Sequence, residues 1–226
     1  MNKHRLKILG VLFGTATCAP AWADSPWYLE GSAGSVFTEN NSRATIDHVG
    51  GVFAPGTNTT TYSAGPDFAV GVGYKLPHIP HVRLQAEFGY AHYAVDTIAP
   101  ASAAFPSLNG SQRPAVSGGD RDFFTADAEA FYDLPSYGRF QPYLGGGAGY
   151  YHVSAGDVHT TTSFGAPFTG HTGNFDGPIL LAEGGVNIRI DDRWSVVPAY
   201  RYQHLFATAG RTTSNHILKI GLRFDL

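Results

Sequence analysis

Eleven ionisable residues of this 226-residue chain stand between neighbours that are apolar, aromatic or glycine. They are Glu30, Lys75, Arg83, Glu87, Asp127, Glu129, Glu183, Arg189, Arg201, Lys219 and Arg223. Their signs are nearly balanced. Such a set can do two things: pair internally in a space closed to water, or line an aqueous pore. Ten histidines raise the question of metal binding. His78 and His81 flank an Ile-Pro pair in a turn, and His48, His159 and His171 fall in long connections. None has a cysteine or carboxylate at ligand spacing, so the sequence predicts no metal site and no cofactor.

The elements that carry these charges alternate with period two, the mark of strands with two unlike faces. Eight segments show it: 27–37, 67–76, 82–95, 122–134, 140–153, 179–190, 194–206 and 215–226. In 82–95, Val82, Leu84, Ala86, Phe88 and Tyr90 oppose Arg83, Gln85, Glu87 and Gly89. In the last, His216, Leu218, Ile220, Leu222, Phe224 and Leu226 oppose Ile217, Lys219, Gly221, Arg223 and Asp225. Short turns with Pro, Gly or Asp lie at 77–80, 135–138 and 191–193. They alternate with long connections at 38–66, 97–120 and 154–177 and a shorter one at 207–213. The long connections are rich in Thr, Ser, Gly, Pro and Asn and show no strong periodicity.

Residues 1–23 read as a secretory signal peptide: basic Lys3, Arg5 and Lys7, an apolar run over 8–16, and Ala21-Trp22-Ala23 before the cleavage point. Residues 24–226 then form one β domain without cysteine, because Cys18 lies in the signal. That domain carries twelve basic against eighteen acidic residues, a net charge of −6, which argues against nucleic acid as a partner. No apolar run after residue 23 reaches the roughly 18–20 residues of a membrane helix. A membrane would have to be crossed by strands.

Alternation alone fits a soluble barrel with its apolar face inward or a membrane barrel with that face outward. Four features choose the second. The polar face has few charges of nearly balanced sign, and it is rich in glycine, which suits a crowded interior. Trp27, Tyr74, Tyr90, Tyr150, Trp194, Tyr202 and Phe224 lie on or near strand ends, where an aromatic girdle belongs. Turns are short at one end and long at the other. In hydrocarbon each unpaired backbone group costs several kcal/mol, so no sheet edge can stay open. The last strand must therefore pair with the first. The expected fold is all-β: a single eight-stranded antiparallel transmembrane barrel with short periplasmic turns and long extracellular loops, monomeric, in the outer membrane of a Gram-negative bacterium.

Four stretches, "WYLEGSAG" at 27–34, "PYLGGGAGYY" at 142–151, "AYRYQHL" at 199–205 and the terminal "IGLRFDL", resemble the opacity-type eight-stranded outer-membrane β-barrel proteins. The resemblance covers most of residues 24–226. It implies outer-membrane lipid and lipopolysaccharide as surroundings. It also implies the barrel-assembly machinery as a partner of the C-terminal strand. The family usually ends in Phe or Trp, whereas this chain ends in Leu226 after Phe224.

Some eight-stranded barrels that resemble this fold are lipid A deacylases, with a His-x-Ser pair on a late strand and an acidic partner beyond. His204 matches the histidine, but position 206 is Phe and no Glu follows; Ser214 would need its own His–acid geometry. The chain is therefore read as non-enzymatic. An eight-stranded barrel is just wide enough for side chains to fill, so the eleven charges are expected as a packed lumen network. Function is expected in the outer connections, where Phe105, Arg113, Arg121, Phe164, Phe168 and the Thr57–Thr61 tract could meet an extracellular receptor. A small nonspecific porin is the alternative.

Overall fold

The alternating segments fold into a closed barrel in the computed structural model, which describes residues 25–49, 52–102, 116–161, 167–170, 173–207 and 211–226. The expected signal segment, Phe105, Arg113, Phe164 and His171 lie outside them. The described residues form fourteen strands: β1 (Trp27–Thr38), β2 (Asn41–Val49), β3 (Val52–Tyr62), β4 (Gly65–Lys75), β5 (Val82–Tyr93), β6 (Val95–Ser102), β7 (Val116–Gly118), β8 (Arg121–Asp133), β9 (Phe140–Ala155), β10 (Val158–Thr161), β11 (Pro167–Gly170), β12 (Phe175–Arg189), β13 (Trp194–Ala207) and β14 (Arg211–Asp225).

Eight of them close the barrel in the order β1-β14-β13-β12-β9-β8-β5-β4, every pair antiparallel. Closure is made by the first and last strands, with Glu30 opposite Arg223 and Gly34 opposite Lys219. No backbone edge of the ring is left without a partner strand, as hydrocarbon requires.

The faces are decided by exposure. Val70 is 63% exposed, Phe88 53%, Leu180 52% and Ile220 64%, whereas Arg83 and Arg223 are 1% exposed and Arg201 3%. Apolar side chains form the outer wall, and the charged face is shut inside. A soluble barrel would show the reverse, so the pattern fits lipid outside.

The short turns sit at the end that also holds Trp27 and Asp225. Gly138 adopts a φ of +66°, which a residue with a Cβ reaches only at a cost, and this closes the tight bend where Tyr137 and Phe140 exchange backbone hydrogen bonds. In the third turn the Asp191 carboxylate accepts the backbone N–H groups of Arg193 and Trp194 at 2.8 and 2.7 Å. These two hydrogen bonds hold its carboxyl below the usual carboxylate range.

The long connections differ from their reading as irregular chain. Within 38–66 and 97–120, strands β2, β3 and β6 pair into a sheet of order β2-β3-β6. Strands β7, β10 and β11 pair as β11-β10-β7. Apolar alternation could not reveal them. Polar contacts tie the first sheet instead, such as Ser42 to Thr59 at 3.0 Å and the bond between the Thr61 and Thr97 hydroxyls. Thr57–Thr61 lies in β3, and Phe168 in β11.

Candidate functional site

The lumen is stacked in three layers, each built by inward positions of the barrel strands. At the short-turn end the layer pairs charge with aromatic rings. The Arg83 guanidinium donates to Asp133 at 3.1 Å and to the Tyr28 hydroxyl at 2.8 Å, and lies 4.0 Å from the Phe131 ring centre and 4.5 Å from that of Tyr143. Arg223 donates twice to Glu30, at 2.8 and 2.9 Å, and rests 4.6 Å over the Tyr28 ring. Two opposing glycines make this possible. A Cβ on Gly73 would lie 1.9 Å from the Tyr28 ring, and one on Gly185 would lie 2.7 Å from the Tyr143 hydroxyl. Alternation puts Tyr28 and Tyr143 on the inward face with Glu30 and the glycines but gives them no role there, and it leaves Phe131 out, because an inward aromatic looks like any other apolar residue in the chain.

The middle layer is ionic. Arg201 bonds Glu87, Glu129 and Glu183, the last two at 2.7 Å. Lys219 bonds Glu183 at 2.8 Å and Glu87 at 3.4 Å. The Tyr143 hydroxyl donates to Glu183 at 2.7 Å, and the Gln85 amide donates to Glu87 at 3.0 Å. Asp67, absent from the sequence reading as a charge of the inward face, is buried at the same level: it and Lys219 flank Gly34 of β1 from either side. Asp127 is also buried, yet neither of its carboxylate oxygens has a hydrogen-bond partner among the described residues.

The third layer, toward the long connections, is apolar. Val36, Ala91, Tyr93, Phe123, Tyr151, Val153, Ile179, Leu205 and Ile217 pack together, with Tyr62 and Phe175 against them. Phe123 and Tyr151 stack at 5.6 Å, and Arg121 lies 5.0 Å from the Tyr62 ring centre. This plug was not foreseen, since the inward face was expected to be polar throughout.

Two of the eleven charges sit at the rim and not within the layers. Lys75 pairs with Asp225 at 2.8 Å but stays 45% exposed. Arg189 has the inward parity of Glu183 but is exposed where β12 leaves the barrel. Both stand too near the short turns for neighbouring strands to cover them.

The seven aromatics divide between the two rims. Trp27 meets Tyr74 and Trp194 meets Phe224, each pair at 4.7 Å, beside the short turns. At the opposite rim the hydroxyls of Tyr90 and Tyr150 donate to Asp122 and Asp176, at 2.8 and 3.0 Å. On β13, Tyr202 lies 5.4 Å from the His216 ring. Rings facing lipid with hydroxyls turned to rim carboxylates suit the boundary between hydrocarbon and headgroups.

His204 and Ser214 come together on the outer face, directly opposite in the β13–β14 pair, with His204 Nδ1 3.4 Å from Ser214 Oγ. The sequence could not show this, because their contact depends on strand register. The Tyr202 hydroxyl also reaches Ser214, at 3.0 Å. The rim carboxylate of Glu39 bonds a different histidine, His216, at 3.2 Å. Among the described residues no carboxylate bonds His204 as the acid of a hydrolytic triad would.

The closed ring, greasy wall and enclosed charges define a membrane barrel. A family model for the outer membrane protein β-barrel domain matches residues 9–224. The chain belongs to that family. It is an outer-membrane β-barrel protein of the Gram-negative envelope and sits in the lipid bilayer. Among solved structures it is similar to the outer membrane protein OprG from Pseudomonas aeruginosa, with a TM-score of 0.56 at 14% identity over 89% of this chain and 97% of that one. It is also similar to Neisserial surface protein A, with a TM-score of 0.49 at 16% identity over 89% and 98%. The outer membrane protease OmpT from Escherichia coli gives 0.47 at 10% identity over 94% and 100%. The comparison with curated proteins finds no match. At these identities the likeness concerns fold.

Proposed function

We propose that this protein is a surface-contact protein: the barrel is its membrane anchor, and the strands beyond the barrel meet a partner outside the cell. The observation that carries this reading is the filled lumen. Inward side chains from all eight barrel strands occupy the lumen, and those of the middle layer are nearly closed to water. The apolar plug lies above them. A solute would have to displace Arg201 from three carboxylates, and breaking a buried pair costs about 3–5 kcal/mol.

The outward part supports the other half of the reading. Two three-stranded sheets extend the chain beyond the barrel at the end of the long connections. Structured extensions on a rigid base are suited to binding. Lipopolysaccharide would surround the upper rim, and β14 would be the strand offered to the barrel-assembly machinery.

The test has two arms. Purified protein in planar bilayers should show no discrete conductance steps; regular steps would favour the porin reading. Cells displaying the protein should adhere to a receptor-bearing surface, and replacing 97–120 and 154–177 with short turns should abolish adhesion while leaving a folded barrel. Unchanged adhesion, or none in the parent, would end the contact reading. Lipid A of unchanged mass after expression would dispose of the hydrolase reading.

A further inference from the structure

We propose that the barrel lumen holds a divalent metal cation of the calcium type, bound by Glu87, Asp127 and Glu129. The site begins with a placement that is unfavourable by itself. Glu87 on β5 and Asp127 on β8 are directly opposite in the strand pair, both facing inward, and Glu129 stands opposite Gln85 one inward position along. Like charges directly opposite one another on adjacent strands repel, and water cannot screen these three, which are 3–7% exposed.

The neighbouring cations do not balance the layer. It contains five carboxylates, Asp67, Glu87, Asp127, Glu129 and Glu183, against the two cations Arg201 and Lys219. The short-turn layer balances by contrast, with Arg83 and Arg223 each facing one carboxylate. Arg201 and Lys219 also spend their hydrogen bonds on Glu87, Glu183 and one oxygen of Glu129. Both oxygens of Asp127 and the second oxygen of Glu129 are left buried without a donor among the described residues. A buried polar atom without a partner is rare and calls for an unseen ion or water.

Geometry and donor type fit such an ion. One carboxylate oxygen from each of the three residues lies within 4.8 Å of the other two. Calcium binds oxygen at about 2.3–2.6 Å, so one such ion can bridge oxygens up to about that far apart. An all-carboxylate set without nitrogen or sulfur favours a hard cation. A divalent ion would cancel two of the three excess charges in the layer. It would also join β5 to β8 from inside, where the apolar plug above and the Arg83 layer below separate it from solvent, so the ion is taken up as the barrel folds.

The test uses the full chain, refolded into detergent micelles with calcium chloride or with a chelator, then washed with chelator and analysed for metal. Folding is read from the shift in electrophoretic mobility between unheated and boiled samples. We expect about one calcium per chain after refolding with calcium, and a fall of about tenfold or more in Asp127→Asn and in Glu129→Gln, both of which fold because they relieve like-charge repulsion. Unheated protein should also resist denaturation better when refolded with calcium than with magnesium or extra sodium, since a ligand bound to the folded state alone stabilises it. Wild-type barrel that folds in calcium yet retains none would overturn the proposal and leave shared protons as the means by which the carboxylates coexist. Retention unchanged in both variants would place the calcium elsewhere and overturn it equally.

Discussion

Arg201 bonds Glu87 across the full width of the lumen, from β13 to β5, which stand diametrically opposite in the eight-strand ring and 114 residues apart in the chain. One guanidinium thereby ties three carboxylates from three strands into the middle of the barrel. Arg201 offers five donors in a planar fork, and no other side chain could serve three acceptors this way.

Arg201→Met should destabilise the barrel by about 3–5 kcal/mol, because among the described residues it leaves Glu129 buried with no bonded cation and Glu87 and Glu183 with Lys219 as their one bonded cation. Denaturant unfolding in lipid vesicles, read by tryptophan fluorescence, measures this. Arg201→Lys should recover part of the loss, since the charge returns without the fork.

The close fit of Tyr28 against Gly73 gives a second expectation. Gly73→Ala should cost about 1–3 kcal/mol by forcing the ring from between Arg83 and Arg223. The double variant Gly73→Ala with Tyr28→Ala should cost less than the two changes added together. Full additivity in the unfolding cycle would show that the contact carries no energy.

Outward positions follow lipid chemistry. Val70, at the middle of β4 on the outer wall, should lose about 2–4 kcal/mol on change to arginine. The same change at Tyr137, 74% exposed in a short turn, should be nearly neutral. Equal costs at both positions would contradict a lipid-facing wall.

Asp191 gives a pH dependence of defined sign. Its carboxyl is held below its unfolded value by the N–H groups of Arg193 and Trp194. The contribution to stability is therefore fully present above the ordinary aspartate range, and it is lost as pH falls through the lower folded value. Wild type should exceed Asp191→Ala in stability at neutral pH, with the gap closing only in strong acid. A gap that stays constant across that range would separate the turn from the ionised carboxylate.

Period two is a local property of a strand, and this is why the sequence carries the two faces. Leu84 and Phe88 against Arg83 and Glu87 have to point to opposite sides whatever the rest of the chain does. The strand number, the alternation of short and long connections and the closure of first strand on last follow from the same pattern, once hydrocarbon forbids an open edge. Partnership is different, because it depends on where a closed ring places strands that are distant in sequence. Arg201 could have met any acid on the inward face; ring order brings it to Glu87, and register sets Glu87 against Asp127 and His204 against Ser214. Asp67 joined the ionic layer and Arg189 came to rest at an exposed rim for the same reason. The outer strands of the long connections had no apolar face to announce them. What the amino acids determined alone was which side each residue faces; what only the folded barrel decided was who stands opposite, since a lumen about one side chain deep makes every contact a product of all eight strands.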